Sequence, residues 1–414
     1  MLVAALYCTQ NLSLGFFTYA FLTIAQGRGV PLAAIGASAG IAMILPLKFL
    51  WAPLVDRFGS RRLGHYRTWL ILTQTALGTG IAALALFDPA QDFNALLALF
   101  ATIFLTAATQ DIAADAAATR LLHPSERGMG NGLQSAGSAV AQVVGGGLSL
   151  IVYDAVGWQV AVLLLAAFSL LPLPLILGWQ EGASTSGLPE PRATLRSALA
   201  FFSRSAVRWW CLALIPAYTL GFTMAYSLVR PILVDAGWDE GRIGLVVVIG
   251  GSGVGIASGL GAGFVIARVG RRRALIRLGM VQVAAAFGVL PAALGVTPQW
   301  LVLAVVALAN AAFCAAATIV YTISMDLTRP ESAGTDFTLF TTIGTVLMVV
   351  AGGLGVAVAG LVGFAPVALV AGALSVLGLL FTAWRIDRAL PGDSATAGAR
   401  VAPGPESRLD ACEA

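Results

Sequence analysis

The sequence predicts an all-α membrane protein with twelve transmembrane helices arranged as two pseudo-symmetric six-helix bundles. Three observations predict it. The 414 residues are 58% hydrophobic and 11% charged, with a mean hydropathy of +0.87, which is too little charge to clothe a soluble core of this size. Apolar runs of roughly 20 residues, each long enough to cross ~30 Å of hydrocarbon, recur along nearly the whole chain. Two basic turns about half a chain apart also read alike: Asp56-Arg57-Phe58-Gly59-Ser60-Arg61-Arg62 and Ala267-Arg268-Val269-Gly270-Arg271-Arg272-Arg273. A short basic loop after the second run of each half marks a duplicated six-helix carrier.

Taken in order, the runs lie at about 3–25, 32–54, 68–88, 93–119, 128–153, 158–178, 209–235, 242–266, 274–296, 299–325, 336–363 and 365–386. Helices are expected because lipid cannot satisfy backbone amides. The alternating segments of about 10 residues that build an outer-membrane barrel do not fit these runs. The first run lacks a charged leader and a cleavage site, so it reads as a retained helix and not a signal peptide. Residues 1–178 form the first bundle. Residues 179–208, with Gly, Ser, Pro and four arginines, read as a cytoplasmic linker with a short amphipathic helix near 193–204. Residues 209–388 form the second bundle, and 389–414 a disordered tail. Pro124-Ser125-Glu126-Arg127-Gly128 after run four and Pro330-Glu331-Ser332-Ala333-Gly334 after run ten repeat the same punctuation.

The net charge is +4 and the pI about 9.1. Its distribution excludes nucleic acid as the reason. With both termini in the cytoplasm, 20 of the 24 Lys and Arg fall on that side; Arg28 and Arg242 lie outside, and Lys48 and Arg230 lie within runs. This positive-inside bias predicts an N-in, C-in, multi-pass protein of the bacterial inner membrane. The four cysteines are scattered and offer no disulfide framework or metal site. There is no Gly-x-x-x-x-Gly-Lys-Ser/Thr loop, and no cofactor is expected. His65 and His123 fall in cytoplasmic loops.

Glycine gathers in runs two (Gly36, Gly40), five (Gly145, Gly146, Gly147), eight (Gly251, Gly255, Gly259, Gly263) and eleven (Gly352, Gly353, Gly355, Gly360). Small faces let helices approach closely. Their recurrence at every third run predicts a moving interface between the bundles, set against ordinary static packing.

Charges inside runs are expensive and default to function. Asp111 and Asp115 are an i,i+4 pair in run four, and Lys48 in run two lies at the same depth. The carboxylates repel and Lys48 counters the repulsion, so the cluster can serve proton coupling, gating or a structural lock. Asp56, Arg57, Arg61 and Arg62 at the mouth of run two, with Arg120 as a partner for Asp56, suggest a cytoplasmic latch. Ala267 stands where Asp56 would recur, so that latch is asymmetric. Run seven carries Pro216 and Pro231, which predicts a broken helix. Arg230, Tyr218 and Tyr226 around the break are substrate-binding candidates, with snorkelling as the bland alternative for Arg230. Gln10, Asn11 and Asn310 are polar groups that line a cavity or tie helices together.

The Leu47-Lys48-Phe49-Leu50-Trp51-Ala52-Pro53-Leu54-Val55-Asp56-Arg57 and Gln110-Asp111-Ile112-Ala113-Ala114-Asp115 segments resemble one branch of the major facilitator superfamily. That branch holds AmpG-type muropeptide permeases, acetyl-CoA transporters and the RhtX/FptX siderophore permeases. The resemblance covers about residues 3–388, and the compact length is most similar to the ferripyochelin permeases. It implies a monomeric secondary importer that carries a ferric siderophore from periplasm to cytoplasm on an ion gradient, with muropeptide or another amphipathic anion as the alternative. An intramembrane aspartyl hydrolase is the enzyme alternative. It fits poorly, because such dyads join two helices and Asp111 and Asp115 share one.

Overall fold

The computed structural model describes residues 2–60, 62–181, 200–238 and 243–390. Arg61, Arg242, most of the expected linker with its amphipathic helix, and nearly all of the expected tail lie outside them. Among the described residues, eleven helices are long and apolar enough to cross a membrane. We label them α2 (Ala33–Leu50), α3 (His65–Leu86), α4 (Phe93–Leu121), α5 (Arg127–Val156), α6 (Trp158–Gly178), α7 (Ser205–Asp235), α8 (Gly244–Val269), α9 (Arg271–Ala293), α10 (Gln299–Leu327), α11 (Pro330–Val362) and α12 (Phe364–Arg388). Residues 2–27, helical apart from a turn at Asn11, precede them as α1.

Two helices differ from their expected shape. Run seven is not broken: Ile215–Asp235 is one continuous helix with Pro231 inside it. Pro216 follows a wide π turn over Trp210–Leu214 that continues the helix from Ser205, and Pro231 removes one bond close to the far end. Arg230 is therefore helical despite preceding a proline. The irregular helix is α2. Its second half winds into tight 3₁₀ turns over Ala39–Ile44 and Pro46–Leu50, followed by a turn at Trp51 and the short helix Ala52–Arg57. Pro46 and Pro53 withhold two N–H donors, and Gly36 and Gly40 supply no side-chain packing.

Each half buries its own core. In the first, Phe16, Phe17 and Phe21 of α1 meet Phe93, Phe100 and Phe104 of α4 and Trp158 of α6. Phe17 sits edge-on to Phe100 and Phe104, with ring centroids 4.9 and 5.3 Å away, the favoured aromatic geometry. The second half has three clusters, around Trp210, Tyr218 and Ile319, around Leu228, Ile232 and Val289, and a small one of Phe222, Ala285 and Ala312. The halves meet along two seams, α5 on α8 and α10, and α11 on α4 and the end of α2.

Candidate functional site

The seam at the basic end is closed by backbone-close contact. A Cβ added to Gly132 would lie 2.6 Å from the carbonyl oxygen of Gly259, and one added to Gly263 would lie 2.7 Å from that of Gly128. The expected glycine interface is thus real for α8, but its partners in α5 are Gly128 and Gly132. Gly145 and Gly146 pack on α1, Gly352 and Gly355 pack on α7, and Gly36 and Gly40 face open space.

Polar contacts fasten this end. Asp56 accepts from the Tyr66 hydroxyl (2.7 Å) and from the backbone N–H groups of Gly334 (3.0 Å) and Thr335 (2.7 Å), at the start of the regular helix of α11. The free N–H groups there and the helix dipole favour such a carboxylate. Burial pushes the Asp56 carboxyl above its ordinary range, and the bonds from Thr335, Tyr66 and Gly334 pull it part of the way back. Arg120 donates to the Pro330 carbonyl at 2.7 Å. A further charge contact was not anticipated: Asp326 at the end of α10 accepts from Arg127 of α5 (2.9 Å) and Arg271 of α9 (2.8 Å). Only Arg127 of the three belongs to the first half, so the bond crosses the seam. No sequence spacing flags Asp326, because its partners come from two other helices.

Above the closed seam lies a cavity of about 540 Å³. Gln10, Asn11, Lys48, Asp111, Asp115 and Gln134 line it from the first half; Tyr226, Asn310, Phe313 and Tyr321 line it from the second. At the end away from the basic loops, the Ile249 side chain of α8 reaches toward Gly147 of α5. Tyr226 stacks on Phe313, with centroids 5.2 Å apart and planes 19° from parallel, and its hydroxyl donates to Asn310 Oδ1 at 3.4 Å. Asn11 Nδ2 donates to Ser138 Oγ at 2.9 Å. The wall therefore offers an aromatic platform beside amide groups, suited to ring faces and hydrogen-bonding edges.

The three charged residues do come together. Lys48, 7% exposed, donates from Nζ to Asp111 Oδ2. Asp115, 1% exposed, accepts at Oδ1 from Gln134 Nε2 (3.0 Å) and the Tyr7 hydroxyl (3.3 Å). The tight turn Pro46–Leu50 aims Lys48 inward, and Thr342 of α11 donates to the Pro46 carbonyl at 3.3 Å. Tyr7 and Gln134 were missed in the sequence because a lone tyrosine or glutamine in an apolar run carries no signal of its partner.

Other candidates fall elsewhere. Arg230 is exposed and does not line the cavity, although it lies near enough to Tyr19, which does, to interact with it electrostatically. Tyr218 is buried in the second-half core, donating to the Leu275 carbonyl at 3.1 Å; without a break in α7 it has no route to the cavity. Arg57 and Arg62 are exposed at the basic end.

Comparison with known proteins agrees with this architecture. The sequence profile of the Major Facilitator Superfamily matches residues 3–352, and again 217–408. The anhydromuropeptide permease of Escherichia coli K12 is 33% identical over 262 residues, 62% of this chain and 52% of that protein. The chain thus spans about half the length of that relative. A putative transporter AmpG 4 of Rickettsia felis is 24% identical over 266 residues, 61% of this chain and 64% of that one. Among solved structures, the transporter FucP in the outward conformation superposes with a TM-score of 0.68 at 14% identity, covering 93% of this chain and 97% of that one. A bacterial homologue of the iron transporter ferroportin in an outward-facing state gives 0.65 at 15%, covering 92% and 96%. At such identities these structures speak to the fold alone. The chain belongs to the Major Facilitator Superfamily, as a multi-pass membrane protein.

Proposed function

We propose that this protein is a proton-coupled importer of muropeptide-class cargo, a sugar joined to a short acidic peptide, with both termini cytoplasmic. The observation that carries the reading is the composition of the cavity wall. The Tyr226–Phe313 pair suits the apolar face of a sugar ring, and the amides of Gln10, Asn11 and Asn310 suit hydroxyl, peptide and carboxylate groups. The identity to an anhydromuropeptide permease supports it and places muropeptide ahead of the ferric siderophore that the compact length suggested. With the basic loops inside, the closed seam is cytoplasmic and the cavity belongs to an outward-facing state of an alternating-access cycle.

Uptake into proteoliposomes tests this. Labelled anhydromuropeptide should enter saturably and show counterflow, and unlabelled ferripyochelin should not compete. Saturable ferripyochelin uptake that anhydromuropeptide fails to inhibit would replace the reading.

A further inference from the structure

We propose that the Lys48–Asp111–Asp115 cluster carries one proton per transport cycle, seated on Asp115, and that Lys48 fixes this number by cancelling Asp111. The inference deepens the proton-coupled reading above and rests on it.

The argument is a charge count. Asp115 is faced by Tyr7 of α1, Lys48 of α2, Gln134 of α5 and Tyr321 of α10, with Asp111 one turn away on its own helix. Among these only Lys48, Asp111 and Asp115 carry charge at neutral pH. With all three ionised the cluster is −1, in surroundings where an uncompensated charge is expensive. One proton brings it to zero, and a second would leave it at +1. The seat of the proton follows from the contacts. Asp111 is bonded directly to the ammonium group of Lys48 and stays ionised. Asp115 has only neutral hydrogen-bond donors, the Tyr7 hydroxyl and the Gln134 amide, and is almost fully buried at the cavity wall. The second half does not double the number. With the starts of α4 and α10 aligned, Ala317 stands at the place of Asp111 and Tyr321 at that of Asp115, and both line the same cavity. The step itself is a proton transfer: hydronium in the cavity gives H⁺ to a carboxylate oxygen of Asp115, leaving water, and the carboxylic acid returns it on the other side.

Charge-changing variants make the count visible. With the membrane potential clamped at zero, steady-state accumulation of labelled anhydromuropeptide should rise about tenfold per unit of pH gradient for one proton and about a hundredfold for two. Wild type should show about tenfold. Asp111→Asn leaves Lys48 and Asp115 cancelled without a proton, so the gradient should drive no accumulation while counterflow persists. Lys48→Met should give about a hundredfold, and the double variant Lys48→Met/Asp111→Asn should return to about tenfold. Gradient-driven accumulation in Asp111→Asn at the wild-type slope would overturn the proposal, as would a double variant that exchanges cargo without regaining the slope. A second readout needs no cargo. The pH-difference infrared spectrum of the purified protein should show a buried protonated carboxyl band that is lost in Asp115→Asn. A spectrum unchanged in Asp115→Asn would overturn the proton's seat even if no tested cargo moved, whereas absent uptake with the expected band would count only against the cargo.

Discussion

Helices α4 and α10 occupy corresponding places in the two halves and are equally long, 29 residues each. They present different chemistry to one cavity. α4 brings Asp111 and Asp115, while α10 brings Asn310, Phe313, Ala317 and Tyr321. At their basic ends the contrast recurs with the sign reversed: Arg120 of α4 stands where α10 has Asp326. Arg120 reaches a carbonyl across the seam, and Asp326 gathers two guanidinium groups. The charged residues of the cavity wall thus come from one half, and its stacked aromatic pair from the other.

Six substitutions sharpen or break that division. The largest effect is expected at the shared seam. Gly132→Leu would drive a side chain into the Gly259 backbone, an overpacking worth several kcal/mol at a backbone contact and more than about 1–3 in a core. Uptake should fall by at least about tenfold in protein that still inserts, and thiol labelling of the cavity residue Cys314 should change; normal uptake would show that the seam need not close this tightly. Next, Asp326→Asn removes the shared partner of Arg127 and Arg271. These groups are about one-fifth exposed, so the loss should be about 1–2 kcal/mol, roughly a tenfold opening of the seam read by crosslinking. Arg120→Gln should do less, because it forfeits a bond to a carbonyl and leaves no charged group from that bond behind; equal effects would erase the asymmetry.

Asp56→Asn tests the proton dependence of the seam. Burial raises the Asp56 carboxyl in the closed form, and an opened seam would return it to water and its ordinary value. The closed form therefore binds the proton more tightly. Closure should strengthen as pH falls through the raised value and weaken as pH rises above it. Crosslinking yield across the seam should follow that direction in wild type and flatten in Asp56→Asn. The smallest contrast is in the second half. Tyr226→Ala should raise KM for cargo several-fold through lost stacking of about 1 kcal/mol, whereas Arg230→Ala, outside the cavity, should leave KM unchanged. A raised KM in the arginine variant would return it to the site.

The fold was legible because lipid imposes a length and polarity rule that each apolar run satisfies independently. Lys48, Asp111 and Asp115 were legible for the same reason: a charge within such a run stands out before any partner is known. What stayed hidden depends on pairing between distant helices. Asp326 sits at a helix end where acids are ordinary. Gly128 and Gly132 attract no notice beside the denser Gly145–Gly147 run, although they form the close approach. Prolines misled in α7, where a π turn before Pro216 carries the helix on and Pro231 sits near its end, while in α2 Pro46 stands amid small residues where the helix tightens.

The tightened stretch of α2 has a mechanical consequence. Lys48 rides on five residues held by tight three-residue turns, bracketed by a turn at Leu45 and another at Trp51. Such turns forgo the regular bonds of an α-helix, so a twist confined to them would leave the lobes in place. Lys48 would then keep its hold on Asp111 while the lobes rock, and the charge of the cluster and the state of the seam can change separately.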